Sequence, residues 1–176
     1  MNTTVNICFK GFLLHYSILL FLYSSSSFAR QSTTDSLLLL LKTVSADTTR
    51  INTLNAISTQ LWRTGKYDTA FFYAEKAKQL ANVILAENEL KMKNPIINLV
   101  AQKGIANAYN NIGAIDDIQG NYPDALKNYS ASLKIWKSIS QILSDSEDKS
   151  SSIWREVTIG TGASYNNIGI HWRPKH

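Results

Sequence analysis

Two stretches of this chain repeat each other, and a third begins to. LNAISTQLWRTGKYDTAFFYAEKAKQL runs from Leu54 to Leu80, YNNIGAIDDIQGNYPDALKNYSASLKI from Tyr109 to Ile135, and YNNIGI from Tyr165 to Ile170. In the first two, one glycine precedes a tyrosine by two residues and an alanine by five: Gly65, Tyr67 and Ala70, then Gly120, Tyr122 and Ala125. Small and aromatic residues that recur at fixed offsets mark one supersecondary unit copied along a chain. The unit is expected to be an antiparallel helix pair. Gly65 and Gly120 end its first helix, where a residue without Cβ turns the chain at low cost. Ala70 and Ala125 sit where the two helices cross, and Tyr67 and Tyr122 fill the space beside the turn. Gly113 and Gly169 are small positions that let a neighbouring helix approach. One pair cannot bury its apolar face alone, so neighbouring pairs must stack.

Helix signals cover the rest. A short helix is expected from Thr33 to Thr43, capped by Thr34 or Asp35; its run Leu37–Leu41 is apolar on all sides, as in a buried capping helix. Asp47 reads as an N-cap. Ile51, Leu54, Ile57 and Leu61 keep the three-and-four spacing of one helical face. A second helix opens at Tyr67 and Asp68 and runs through Leu80 toward Lys93. Asn94-Pro95 is a break, because proline disfavours helix for the residue before it. Helices follow over Ile96 to Ile118 and Asp124 to Ile142, with Pro123 in a first turn. Another begins at Ile153. Ser144 to Ser152 (SDSEDKSSS) is polar and reads as a solvated loop. No segment pairs strand alternation with hairpin chemistry. The expected fold class is all-α, an α-solenoid of about two helix pairs plus the first helix of a third.

At these residues the chain resembles the tetratricopeptide repeat (TPR) family. Tyr109, Ile112-Gly113, Gly120, Tyr122, Ala125 and Tyr129 match its pattern, and Ser132 stands where a second alanine is usual. In the first unit Leu54 replaces the aromatic residue and Ser58 the glycine, while Gly65, Tyr67, Ala70 and Ala77 hold. The family period is about 34 residues. Here Gly65 and Gly120 lie 55 residues apart, and Gly113 and Gly169 lie 56 apart. Longer helices and connecting segments over Ala81–Lys103 and Leu143–Thr161 are therefore expected. Units of this length are similar to secreted bacterial repeat regions found ahead of sensor kinases, nucleotide cyclases and transcription regulators.

The N-terminus is of another kind. Lys10 precedes the apolar run Phe12–Tyr23, and the small residues Ser27 and Ala29 follow. This layout is that of a secretory signal peptide, residues 1–29, cleaved before Arg30. A membrane-spanning helix needs about 20 apolar residues, so the run is too short for an anchor. The expected location is secreted or periplasmic, with no membrane span after cleavage. Residues 30–50 form an N-terminal capping segment, 51–170 the repeats, and 171–176 (HWRPKH) an irregular tail. The third unit lacks its turn glycine and second helix, which reads as truncation of a longer protein, with self-association through the open repeat edge.

Composition narrows the chemistry. Of the 176 residues, one is cysteine and three are histidine; Cys8 and His15 fall in the signal, His171 and His176 at the far end. The repeats thus hold no imidazole base, no thiol nucleophile and no Cys/His zinc set. Asp145, Glu147 and Asp148 lack the glycine and terminal glutamate of a calcium loop. Asp116 and Asp117 are adjacent and point about 100° apart on a helix, so they cannot act as a catalytic pair. No phosphate-binding glycine loop or nucleophile elbow is present. The net charge of +5 includes Lys10, Arg173 and Lys175; without these three the body carries +2. No basic stripe with interleaved aromatics points to nucleic acid. No enzymatic activity, cofactor or metal is expected.

The resemblance implies that a peptide or protein segment binds along the first helices. The facing positions are Asn55, Thr59 and Trp62 in the first unit, Asn107, Asn110, Asn111, Ala114 and Asp117 in the second, and Asn166 and Asn167 in the third. An asparagine amide can serve both backbone groups of an extended peptide. The opposing reading is that Asn110 and Asn166 bond between helices and hold the repeat register. Trp136 and Trp154 read as packing residues. The alternative to an interaction module is a nonfunctional or partly folded fragment of a longer TPR-containing sensor kinase or nucleotide cyclase.

Overall fold

The computed structural model describes residues 33–91, 94–144 and 152–171, and among them every regular element is helical. The signal-peptide reading (1–29) lies outside the described residues, as do 145–151 of the loop reading and 172–176 of the tail reading; of their described ends, Ser144, Ser152 and His171 are helical rather than loop or irregular tail. Helix α1 spans 33–43. It is followed by α2 (Asp47–Arg63), α3 (Tyr67–Lys91), α4 (Pro95–Ile118), α5 (Tyr122–Ser144) and α6 (Ser152–His171). The chain divides into two compact units at Ser36/Leu37, and of the first only 33–36 are described. The second unit carries all that follows.

The glycine turns form as expected and are near-copies of each other. Gly65 and Gly120 have φ of 80° and 83°, values that cost a Cβ-bearing residue energy. Around the first, Gly65 N–H donates to the Trp62 carbonyl at 3.2 Å and Lys66 N–H to that of Leu61 at 3.0 Å. Around the second, Gly120 N–H donates to Asp117 and Asn121 N–H to Asp116, at 3.0 and 2.8 Å. Both are Schellman closures, which satisfy carbonyls left over at a helix end. The expected break at Asn94-Pro95 is also present. Asn94 Oδ1 accepts from Ile96 N–H at 2.9 Å, and Pro95 opens α4. Asn88 Nδ2 donates to the Asn94 carbonyl at 2.9 Å and ties α3 to that start. The excess length of each unit is therefore mostly helix: α3, α4 and α5 have 25, 24 and 23 residues.

Three expectations need correction. Asp47 is the first residue of α2 rather than its cap; Ala46 holds the cap position without a side-chain bond. The α1 run is not buried all round. Leu37, Leu38 and Leu41 pack against Ile57, Leu61 and Ala70, whereas Leu39 and Leu40 are exposed, because only one face of α1 meets other helices. Tyr122 does not fill its turn as Tyr67 does: it begins α5 and is half exposed, while Tyr67 packs against the Ile57–Leu61 cluster.

Each helix from α2 on packs against the next, and α2 and α6 also touch α4. The crossings use the small positions of the repeat: Ala70, Ala77 and Ala125 are fully buried, and Tyr129 is 2% exposed. Ser132, in the place of the second alanine, is fully buried and shares a hydrogen bond with Ser164 of α6, Oγ to Oγ at 3.1 Å. The departure from the repeat pattern thus pairs one buried hydroxyl with another.

Helical glycines fall into two kinds. A Cβ at Gly104 would lie 2.2 Å from Ile51 Cγ2, and one at Gly160 2.2 Å from the Trp136 ring. At Gly162 and Gly169 it would meet nothing within 4 Å. Substitution by alanine should split accordingly. Gly162→Ala and Gly169→Ala raise stability by up to about 1 kcal/mol through helix propensity. Gly104→Ala and Gly160→Ala lower it by about 1–3 kcal/mol through overpacking. Urea unfolding of the four single variants tests the split; equal shifts at all four would contradict the packing described.

Candidate functional site

An open pocket of about 330 Å³ lies between α4 and α6, over α5. Asn107 and Asn110 come from α4, Trp136 from α5, and Glu156, Ile159, Gly160 and Ala163 from α6. The wall exists because Gly160 has no side chain: the Trp136 indole occupies the space a Cβ would take, so α6 settles close on α5. Trp136 is 2% exposed and packs with Ala106, Ile139 and Val157. Lys103 of α4 forms an ion pair with Glu156 at the edge, joining the two walls. Its carboxylate is half exposed, so this pair adds little to stability.

The pocket therefore has an apolar side (Trp136, Ile159, Ala163) and an amide side (Asn107, Asn110). Asn110 Oδ1 accepts from Asn167 Nδ2 at 3.1 Å, which leaves its own amide hydrogens to point elsewhere. A primary amide offers two donors and an acceptor, the set that a peptide backbone or another amide pairs with.

The sequence-derived candidates separate into two groups. Asn107 and Asn110 line the pocket, and Asn167 braces Asn110. Asn55, Thr59, Trp62 and Asn111 do not line this pocket; they join in a hydrogen-bond network between α2 and α4. Asn55 and Asn111 are 5% and 6% exposed. Asn55 Nδ2 donates to the Gly104 carbonyl at 3.0 Å. Asn111 Nδ2 donates to the Asn55 carbonyl at 3.1 Å. Asn111 Oδ1 accepts from Thr59 Oγ1 at 3.0 Å and from Trp62 Nε1 at 3.4 Å. A neighbouring helix supplies partners to both Asn111 amide atoms and to Asn55 Nδ2, while Asn55 Oδ1 is buried without one among the described residues. Ala114 and Asp117 are half-buried on α4 outside the pocket lining, and Asn166 is exposed on α6.

The two inter-unit bonds are equivalent by repeat position. Asn111 and Asn167 are 56 residues apart, Asn55 and Asn110 are 55 apart, and each later amide donates to the earlier unit's asparagine, to the main-chain carbonyl of Asn55 and to the side-chain Oδ1 of Asn110. The register-holding reading of the asparagines thus describes Asn55, Asn111 and Asn167, and Asn110 serves both the register and the pocket.

Asp116 lies apart from the pocket. Its Oδ2 accepts from Asn128 Nδ2 at 2.8 Å. Burial raises its pKa above the ordinary carboxylate value; the Asn128 bond opposes this and the nearby Asp124 charge adds to it. Burial also raises the Tyr129 phenol, followed by the charges of Asp117 and Asp116. Neither group lines the α4–α6 pocket. Among the described residues no three His, Cys, Asp or Glu side chains gather as a metal site. No described helix is long and apolar enough to cross a membrane.

Most of the pocket was missed in the sequence: Trp136 reads there as a packing residue, and Glu156, Ile159, Gly160 and Ala163 lie upstream of the YNNIG match at Tyr165. One signal was available. Gly104 and Gly160 share the 56-residue spacing of Gly113 and Gly169, so the repeat of α4 in α6 extends further toward its N-terminus. Compared with protein-family models, curated proteins and solved structures, the chain finds no match in any of the three.

Proposed function

We propose that this chain is a non-enzymatic interaction scaffold, exported after loss of an N-terminal signal, that holds a peptide segment of another protein in the α4–α6 pocket. In this reading α2–α3 and α4–α5 are stacked TPR-like pairs of an α-solenoid, and α6 is the first helix of a third unit. The repeated Schellman turns, the contacts of α4 with both α2 and α6, and the asparagine pairs at matching positions support the arrangement. The observation that carries the function is the pocket itself, with two amides facing an apolar wall. An extended peptide would set its backbone against Asn107 and Asn110 and one apolar side chain against Trp136, Ile159 and Ala163. Pockets of this kind, mostly apolar with a few placed polar groups, are the usual form of a binding site.

The test pans the purified full chain against a phage-displayed library of linear random peptides. Selected peptides should share an apolar residue and bind with affinity that falls at least about tenfold, or 1.4 kcal/mol, in Asn107→Ala and in Ala163→Glu. Circular dichroism of both variants should stay helical. Failure to enrich any peptide, or peptides that bind both variants as well as the parent, would overturn the reading.

A further inference from the structure

Charge enters the α4–α6 pocket at one end only. Of the residues that line it, Glu156 alone is charged. Its Oε2 meets Lys103 Nζ, and among the described residues that is its one ion pair or hydrogen bond. The partners differ in access: the Lys103 side chain is 11% exposed and that of Glu156 51%. A ligand entering the pocket therefore meets the anion of the pair, with Oε1 open, while the cation stands behind it. Lys103 lies one helical turn before Asn107, so the pair marks the N-terminal end of the pocket. At the other end stand Ala163 and the Asn110–Asn167 bond, both uncharged.

The spacing along α6 sets a register. Glu156 and Gly160 are four residues apart, about 6 Å along the helix axis. The Trp136 indole occupies the place of a Gly160 Cβ, so the apolar floor lies at the level of Gly160. In an extended peptide, residues i and i+2 point to the same side and stand about 6.6 Å apart. The two spacings agree. When one peptide side chain rests over Trp136, the side chain two positions away is level with the Glu156 carboxylate, and the residue between them points away from the floor.

Resting on the reading of this pocket as a peptide site, we propose that its occupant is a basic segment. A lysine or arginine stands two residues from the apolar residue held over Trp136, and its cation donates to Glu156 Oε1. The carboxylate then lies between two cations, Lys103 in the wall and the ligand's on the open side. An aspartate or glutamate at the same position meets a like charge and is rejected. Half of the Glu156 carboxylate stays in water, and Lys103 already shares its charge. The pairing therefore supplies selectivity more than affinity, about three- to tenfold over a neutral side chain.

The probe is a phage-displayed library of linear random peptides, panned on the full chain and aligned on the shared apolar residue. Lysine and arginine should be enriched two positions from it, and aspartate and glutamate depleted. One selected peptide is then synthesised with a fluorescent label, alongside a version with glutamine in place of the basic residue. By fluorescence anisotropy the parent chain should prefer the basic peptide about three- to tenfold at low salt, and the preference should shrink in about 0.5 M salt. Glu156→Gln should bind both peptides alike, and as tightly as the parent binds the neutral one, which shows that its pocket is intact. Lys103→Met removes the competing cation and should keep or widen the preference. If peptides with an apolar residue are enriched without a basic residue at this spacing, or if the preference survives Glu156→Gln or vanishes in Lys103→Met, the basic-segment proposal is overturned while the peptide site stands. If no peptide is enriched, the peptide site falls and this proposal falls with it.

Discussion

Trp136→Ala should lower the free energy of unfolding by about 3–5 kcal/mol, the range for removing a large aromatic side chain from a core. Trp136 joins three helices. It packs with Ala106 of α4, with Ile139 of its own helix and with Val157 of α6, and it fills the place of a Cβ at Gly160. A cavity there cannot close easily, because Gly160 has no side chain to move into it. The loss should also be local. Where each unit touches only its neighbours, stability is close to a sum of nearest-neighbour terms. Amide exchange in α6 should therefore accelerate far more than exchange in α2 and α3. Trp136→Phe, which keeps most of the apolar volume, should lose less than half as much. The same change removes the apolar wall of the pocket, so peptides selected on the parent chain should not bind Trp136→Ala. Uniform acceleration of exchange in α2 and α6, or a loss below about 1 kcal/mol, would show that Trp136 does not hold α6 in place.

The parts of this fold that were legible in the sequence are those where only one residue type meets a backbone demand. A left-handed residue at a helix end calls for glycine, and Gly65 and Gly120 stand there. Proline at a first helical turn leaves no bond unmade, and Pro95 opens α4. Gly113 was legible because a motif of fixed spacing surrounds it. The cap of α2 was misread because aspartate suits both the cap and the first turn, where it faces the positive end of the helix dipole, and local sequence does not separate the two. The asparagines were legible as important but ambiguous in use. An amide bonds equally well to a neighbouring helix or to a bound peptide, and the choice depends on how near the next helix lies. Close packing at Gly104, against Ile51 and Ala81, brings α4 near enough to α2 for Asn55 and Asn111 to be used internally. Between α4 and α6 the corresponding space stays partly open, and Asn107 and Asn110 line it. That difference depends on Trp136 standing beneath Gly160 where Ile51 stands beside Gly104, a tertiary contrast that the repeat pattern alone does not display.

Asn111→Leu separates the two possible sources of the α2–α4 stability. Leucine has the branching and side-chain heavy-atom count of asparagine, with bulkier methyl groups, but neither donates nor accepts a hydrogen bond, so it fills the site and breaks the network. Asn55 then loses the donor to its carbonyl, and Thr59 Oγ1 and Trp62 Nε1 lose their shared acceptor. Thr59 retains its bond to the Asn55 carbonyl at 3.0 Å, so the main orphans are that carbonyl's second site and the indole N–H. A buried group left unpaired costs about 1–3 kcal/mol, and the expected loss for Asn111→Leu lies near the upper end of that range. Asn110→Ala gives up only the part-buried bond to Asn167, so it should cost about 1 kcal/mol. Removing Thr59 and Asn111 together, as Thr59→Val with Asn111→Leu, should be less harmful than the sum of the single changes by about 0.5 kcal/mol or more, because they share a bond. Urea unfolding of the three single variants and the double variant supplies each value. If Asn111→Leu proves as stable as the parent, apolar packing alone holds α2 to α4 and the asparagine network adds nothing to it. If the loss matches the prediction while Asn110→Ala stays mild, the same amide stands in two settings along one repeat: internal register where helices meet closely, and the wall of an open pocket where they do not.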